Sequence, residues 1–225
     1  AFAFKDYATV WSAMDGELGA YVRGALAKVN LHAFEKCLDN GYRNVTSSTK
    51  PITTPDDLKG FKIRVPGIAL WVSMFKALGA SPTVVPFGEL YSALQTKVVD
   101  GQENPLALIS SAKLYEVQKF CSLTGHTWDG HFIFANAKKL QALPKEVQAS
   151  IAKHFTDAAL KQREDIARLN VEAQDALAKL GITFNKPDPA PFRKVLQGAG
   201  FYTEWQKKYG DEVWAKLEKY SGKLA

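Results

Sequence analysis

The stretch from Leu58 to Pro105, LKGFKIRVPGIALWVSMFKALGASPTVVPFGELYSALQTKVVDGQENP, constrains the fold more than any other part of the chain. Phe61–Val65 and Thr83–Val85 are short strand-like runs, and each is followed by a helical run, Ile68–Leu78 and Glu89–Thr96. This βαβα order predicts a parallel sheet with helices packed on it. Ligands of open α/β sheets gather at the carboxyl ends of the strands. Arg64, Phe87 and Asn104 fall at or near such ends.

Alternation along Phe61–Val65 puts Phe61, Ile63 and Val65 on one face and Lys62 and Arg64 on the other. Pro66-Gly67 then breaks the strand. Arg64 is therefore either a solvated surface arginine or a guanidinium placed to grip a carboxylate through two parallel hydrogen bonds. Asn104-Pro105 has the composition of a helix start, an N-cap followed by Pro at the first helical position, for a helix over Leu106–Ala112. The alternative is an Asn that caps and also faces an anion at the helix N-terminus. Phe87, between Pro86 and the helix near Glu89, is either core packing or an aromatic wall for a ligand.

The run LKGFKIRVP followed by GASPTVVPFGELYSALQTKVVDGQENP resembles the solute-binding proteins of tripartite ATP-independent periplasmic (TRAP) transporters, of the DctP-like type. The resemblance extends upstream through DNGYRNVTSS and TTPDDLKG and downstream through LYEVQKFCSLTGH into the helix after Leu143-Pro144-Lys145-Glu146. It implies an α/β, two-lobe periplasmic binding protein-like fold with a long helix spanning both lobes. Residues 1–40 and 130–165 would form the first lobe, 41–129 and 166–225 the second, and 145–180 the connecting helix. Members of the family carry a further N-terminal portion that starts the first lobe. Here the chain opens on Ala1-Phe2-Ala3-Phe4, which looks like the middle of such a protein, so the expected fold lacks that portion.

The resemblance also implies site residues. Arg64 would form the main salt bridge to a ligand carboxylate, with Asn104 on the same carboxylate, Arg43 as a second basic contact and Phe87 lining the pocket. Glu89 is a further contact implied less directly. Where the family often reads Thr-Asn-His this chain has Thr124-Gly125-His126, and Trp128 follows. Trp128 either stacks on a ligand or packs at the crossing between lobes. The implied function is capture of a small organic acid (a dicarboxylate, sugar acid or aromatic acid) in the periplasm and its delivery to TRAP membrane permease subunits. A monomer is implied, with no catalytic residue, cofactor, metal or nucleic acid. An enzyme acting on a small carboxylate, or the receptor lobe of a sensing system, remain alternatives.

Composition narrows the classes. The net charge of +6 would suit nucleic acid or a membrane surface, but Lys and Arg are interspersed with Asp and Glu, as in KQREDIAR, and no block of one sign stands out. No apolar run is long enough to span a bilayer. There is no Gly-x-Ser-x-Gly elbow and no Walker loop. The two cysteines, Cys37 and Cys121, and the four histidines, His32, His126, His131 and His154, show no zinc-like spacing. Both cysteines lie in strand-like runs, which the resemblance puts in different lobes, so two buried free thiols are expected.

The remainder reads as follows. A helix runs from Asp15-Gly16-Glu17-Leu18 to about Lys28, Leu31–Leu38 is a strand, and Asp39-Asn40-Gly41 is a turn. Thr54 caps a helical turn ended by Gly60. Val117–Leu123 is a strand followed by a loop over Thr124–Gly130, and His131–Ala135 is another strand. Lys145 to Leu180 has helical periodicity and would extend roughly 50 Å at 1.5 Å per residue. Gly181 ends it before a short strand, Ile182–Phe184, and Pro191–Tyr220 reads as two helices parted near Gly210.

Overall fold

In the computed structural model, which describes residues 1–225, the chain opens with helices α1 (Tyr7–Met14) and α2 (Glu17–Ala27), then strands β1 (Leu31–Ala33) and β2 (Leu38–Ser47). The expected core follows as β3 (Lys62–Val65), α3 (Ala69–Ala77), β4 (Ser81–Val84), α4 (Leu90–Gln95), β5 (Gly101–Asn104) and α5 (Leu106–Ser111). Next come β6 (Phe120–His131), β7 (Phe134–Asn136), α6 (Ala137–Gln141) and α7 (Lys145–Lys179). The chain ends with β8 (Thr183–Asn185), α8 (Pro189–Gly198), α9 (Phe201–Tyr209) and α10 (Asp211–Ser221).

The main sheet has six strands in the order β4-β3-β5-β2-β6-β8. β3 pairs in parallel with β4 and β5, as the βαβα pattern requires, whereas β2 is antiparallel to both β5 and β6. One sheet face, carrying Val45, Ile63 and Val65, packs on α3, α8 and α9 through Met74, Phe75, Phe192, Leu196 and Tyr202. The other, carrying Cys121, packs on α4, α5 and α7 through Leu90, Leu94, Ile109, Ala173 and Leu177. Phe2 joins the first of these cores. β1 and β7 form a separate two-stranded sheet beside α2 and α6.

Helix α7 is 35 residues long, about 52 Å at 1.5 Å per residue. Its first half meets the small sheet, where Phe155 lies 4.5 Å from Phe34 between ring centroids. Its second half supplies Ala173 and Leu177 to the core of the large sheet. Between them, Arg163 ties the helix to the loops around it. Its Nη atoms donate to Asp15 at 2.9 and 3.0 Å, Nε donates to the Cys37 carbonyl at 2.9 Å, and the guanidinium lies 3.9 Å from the Trp11 ring.

Several expectations are corrected. Asp39-Asn40-Gly41 is not a turn: it lies within β2, where the pairing with β6 shifts register between Asp39 and Gly41. Gly41 takes φ +110° at that bulge, and a Cβ there would stand 3.2 Å from Pro105, so the glycine serves a kink inside a strand. Thr124–Gly130 is likewise not a loop but part of the twelve-residue β6, because β2 pairs with Thr127–Gly130 and, past a register shift, with Phe120–Ser122. The Leu31–Leu38 strand is divided, and Cys37 lies in the link between β1 and β2. Three helices follow Asp188, since Gly200 at φ +70° parts α8 from α9. Both cysteines are buried and unpaired, as expected.

Candidate functional site

Position 64 is occupied by a cation withdrawn from water. Arg64 is 3% exposed, which removes the reading as a solvated surface residue. Its single hydrogen bond within the chain runs from Nε to the Val85 carbonyl at 2.8 Å. Nη1 and Nη2 donate to no protein acceptor, and no carboxylate reaches ion-pair distance. Burial pulls its pKa below the usual arginine value, Glu103 opposes this, and the Arg43 charge adds to it. Parallel pairing sets Arg64 beside Gln102 on β5, so both face the same side of the sheet, with Asn104 the next residue on that face.

Asn104 is the last residue of β5 and does not cap α5; Pro105 stands at the cap position. Its amide is held laterally instead. Nδ2 donates to Gln102 Oε1 at 2.5 Å, and Oδ1 accepts from Arg43 Nη2 at 3.0 Å. Gln102 Nε2 in turn donates to the Thr46 hydroxyl at 2.9 Å, which donates to Gln118 Oε1 at 2.8 Å. One N–H of Asn104 and both Nη groups of Arg64 are left without protein acceptors.

Arg43 is differently placed. It sits on β2 at the second register shift, and every one of its nitrogens is engaged. Nε and Nη2 fork onto the Glu103 carboxylate at 2.5 and 2.8 Å, Nη2 also reaches the Glu103 carbonyl at 2.8 Å, and Nη1 donates to Asp129 Oδ2 at 2.8 Å. Glu103 is fully buried and also accepts from Trp71 Nε1 at 3.1 Å and from His126 Nε2 at 3.0 Å. Burial pushes its pKa up, but the Arg43 charge and the His126 hydrogen bond outweigh that, and the net direction is down. Burial pulls His126 below its usual value despite Glu103. The ionised Glu103 can only accept, so neutral His126 carries its proton on Nε2 and takes the Thr124 hydroxyl on Nδ1 at 2.7 Å.

The aromatic and acidic candidates are more peripheral. Phe87, in a single turn before α4, is 45% exposed and so is not core packing; its ring lies 6.0 Å from the Arg64 guanidinium. Glu89 ends that turn, exposed and free of ion pairs. Trp128 is half-buried, donates Nε1 to Asp39 at 2.9 Å, and meets Trp11 and Phe4 edge-on at 5.6 and 6.2 Å. That is packing between α1, β2 and β6. A surface depression of about 800 Å³ between α3 and α9 contains none of the candidates. It is lined by Val72, Ser73 and Phe201 and has no buried charge, so the unpaired guanidinium is the better guide to a ligand.

Sequence reasoning missed Glu103, His126, Trp71 and Gln102. The signal was partly present: Gln102, Glu103 and Asn104 are three consecutive polar residues in a central strand, where burial demands a partner for each.

Residues 1–207 match the family described as bacterial extracellular solute-binding protein, family 7 (DctP). The chain belongs to this family. Among its relatives is the 2,3-diketo-L-gulonate-binding periplasmic protein of Escherichia coli, 35% identical over 80% of this chain and 55% of that protein. The sialic acid-binding periplasmic protein of Vibrio cholerae is 32% identical over 96% of this chain and 66% of its own length. A TRAP periplasmic solute-binding protein from Roseobacter denitrificans, solved with β-D-glucuronate, superposes with a TM-score of 0.92 at 29% identity, over 98% of this chain and 72% of that one. The chain thus spans little more than half of the first of these relatives. This family 7 protein has the two-body α/β architecture of the TRAP solute-binding structures, and no helix in it is long and apolar enough to cross a membrane.

Proposed function

We propose that this chain is the receptor part of a TRAP solute-binding protein, working in the periplasm, which captures a small organic acid by its carboxylate and presents it to membrane permease subunits. Arg64 is the anchor. A buried guanidinium with two free Nη groups and no counterion is electrostatically incomplete, and a bidentate carboxylate completes it. That single observation carries the reading.

Asn104 offers its remaining N–H to the same carboxylate. Phe87 forms an aromatic wall beside Arg64, Glu89 in the same turn is a further contact, and Trp128 contributes through its packing on α1 and β2. Arg43 acts mainly through Asn104, whose amide it holds, because Glu103 and Asp129 already neutralise it. The lobes divide as the resemblance implies, along the small sheet with the first half of α7 and the large sheet with its second half. Ligand favours the arrangement in which both lobes contact it. The ligand is released unchanged, and the receptor is a monomer. A sugar acid is favoured among organic acids, since diketogulonate, sialic acid and glucuronate are among the ligands named for the relatives, beside a C4-dicarboxylate.

A thermal-shift screen over sugar acids and dicarboxylates tests this. The wild type is expected to gain stability with at least one acid, and Arg64→Ala to lose that gain while melting near the wild type without ligand. An Arg64→Ala protein that responds like the wild type removes the anchor role.

A further inference from the structure

The unpaired N–H of Asn104 is a donor only because its amide is held one way round. An amide carries an oxygen and an NH2 of nearly the same shape, and turning it over exchanges acceptor for donor. Asn104 and Gln102 on β5, Thr46 opposite Gln102 on β2, and Gln118 just before β6 are all buried, and they form one line of hydrogen bonds.

The direction of that line is fixed at both ends. Gln118 Nε2 donates to the Val117 carbonyl at 2.8 Å and to the Asp100 carbonyl at 3.5 Å, and carbonyl oxygens only accept. Gln118 therefore turns Oε1 to Thr46, whose hydroxyl donates to it at 2.8 Å. A hydroxyl has a single hydrogen, so toward Gln102 it can only accept, and Gln102 Nε2 donates to it at 2.9 Å. That leaves Gln102 Oε1 to face Asn104, which donates Nδ2–H at 2.5 Å. At the other end Asn104 Oδ1 accepts from Arg43 Nη2, a donor only, at 3.0 Å. The same Nη2 serves the Glu103 carbonyl and carboxylate, both at 2.8 Å, so its hold on Asn104 is the longest of three. The orientation of Asn104 thus rests mainly on Gln102.

We propose that Gln102, Thr46 and Gln118 are positioning residues that fix Asn104 as a donor and thereby restrict the anchor to an ionised carboxylate, excluding the corresponding carboxamide. The proposal rests on Arg64 and Asn104 receiving the acid. Arg64 is the neighbour of Gln102 across β3 and β5, with Asn104 next on that face, and every free polar group there donates. A carboxylate accepts from all of them. A carboxamide of the same outline sets its own NH2 against a donor, which leaves both unpaired.

The test is calorimetric titration of the wild type, Thr46→Val and Thr46→Ser with D-glucuronate and with D-glucuronamide. Val keeps the outline of Thr without the hydroxyl, and Ser keeps the hydroxyl without the methyl. The wild type is expected to prefer the acid strongly. Thr46→Val is expected to bind glucuronate about tenfold more weakly and to show a narrower gap between acid and amide, because a loosened Asn104 can present its oxygen. Thr46→Ser is expected to stay nearer the wild type on both counts; a packing role alone predicts the reverse order. Magnetic resonance of the isotope-labelled, unliganded protein reads the same coupling: Thr46→Val is expected to move the side-chain amide signals of both Gln102 and Asn104. The proposal is overturned if the Asn104 signals stay in place in Thr46→Val, if Thr46→Val binds glucuronate like its parent, if Thr46→Ser loses as much as Thr46→Val, or if the wild type takes glucuronamide as tightly as glucuronate. Glucuronate binding that survives in Arg64→Ala strikes the anchor reading instead. Glucuronate binding to no form of the protein strikes the sugar-acid reading, and the amide signals still decide the relay.

Discussion

Arg64 and Arg43 show how two arginines on one sheet come to different roles. Arg43 is enclosed by Glu103 and Asp129, while Arg64 has a carbonyl and an aromatic ring for company. Glu103 is the residue on which the first arrangement depends. Glu103→Gln removes the charge facing Arg43 and His126 and leaves Arg43 only the partly exposed Asp129. The expected loss is about 3–5 kcal/mol, the cost of breaking a buried pair by removing one partner, read from the midpoint of urea denaturation. The pH dependence follows from the same cluster. His126 is lowered from 6.5, so below that pH the unfolded chain binds a proton that the folded histidine refuses, and stability falls. Glu103 is lowered from 4.5, so its contribution is present above that value and is lost as pH falls through its folded value. Asp39, which burial raises from 3.8, works in the opposite sense near the carboxylate range. The melting temperature is therefore expected to decline from about pH 6.5 downward, and His126→Gln to flatten the upper part of that decline. At this scale the sequence pointed to the position of Arg64, because alternation and the Pro-Gly break set it at a strand end. It did not reveal that Arg43 is neutralised, since Glu103 and Asp129 lie 60 and 86 residues away in the chain.

The elements join the two bodies through a pair of long antiparallel strands and one helix. β2 and β6 carry paired register shifts at Asp39/Gly41 and Arg43/Val45, and the second of these sets Arg43 between Glu103 and Asp129. Local composition hid this. Asn40-Gly41 and the segment holding Gly125 and Gly130 have turn chemistry, yet β2 and β6 pair on both sides of each register shift and draw both segments into strands. Tertiary pairing overrode the local signal. The parallel βαβα unit and α7 were legible because their periodicity is strong and needs no distant partner. What periodicity could not show is how α7 is fixed midway. Arg163 does this, held by Asp15, the Cys37 carbonyl and the face of Trp11. Arg163→Ala is expected to cost about 1–3 kcal/mol, since it leaves Asp15 only Lys36 at 3.4 Å, removes the hydrogen bond to the Cys37 carbonyl and empties a packed position. Hydrogen exchange should speed up in α1 and in the link before β2 more than in β3 or β5.

For the molecule as a whole, the large sheet carries the anchor and α7 carries the connection. The small sheet of β1 and β7 meets the large one through the β2–β6 ribbon and through Arg163. Such a frame holds the anchor on strands at the centre of the large sheet. The family could be read from the KIRVP and DGQENP segments, whereas the charge of +6 could not indicate a partner. Part of that charge is the one buried cation that lacks a counterion. The most direct measurement is a crystal structure of the protein with a bound sugar acid. Both carboxylate oxygens are expected within about 3 Å of Arg64 Nη1 and Nη2, with Asn104 Nδ2 donating to one of them. An acid seated elsewhere, with Arg64 still unpaired, would contradict the assignment of Arg64 as the anchor.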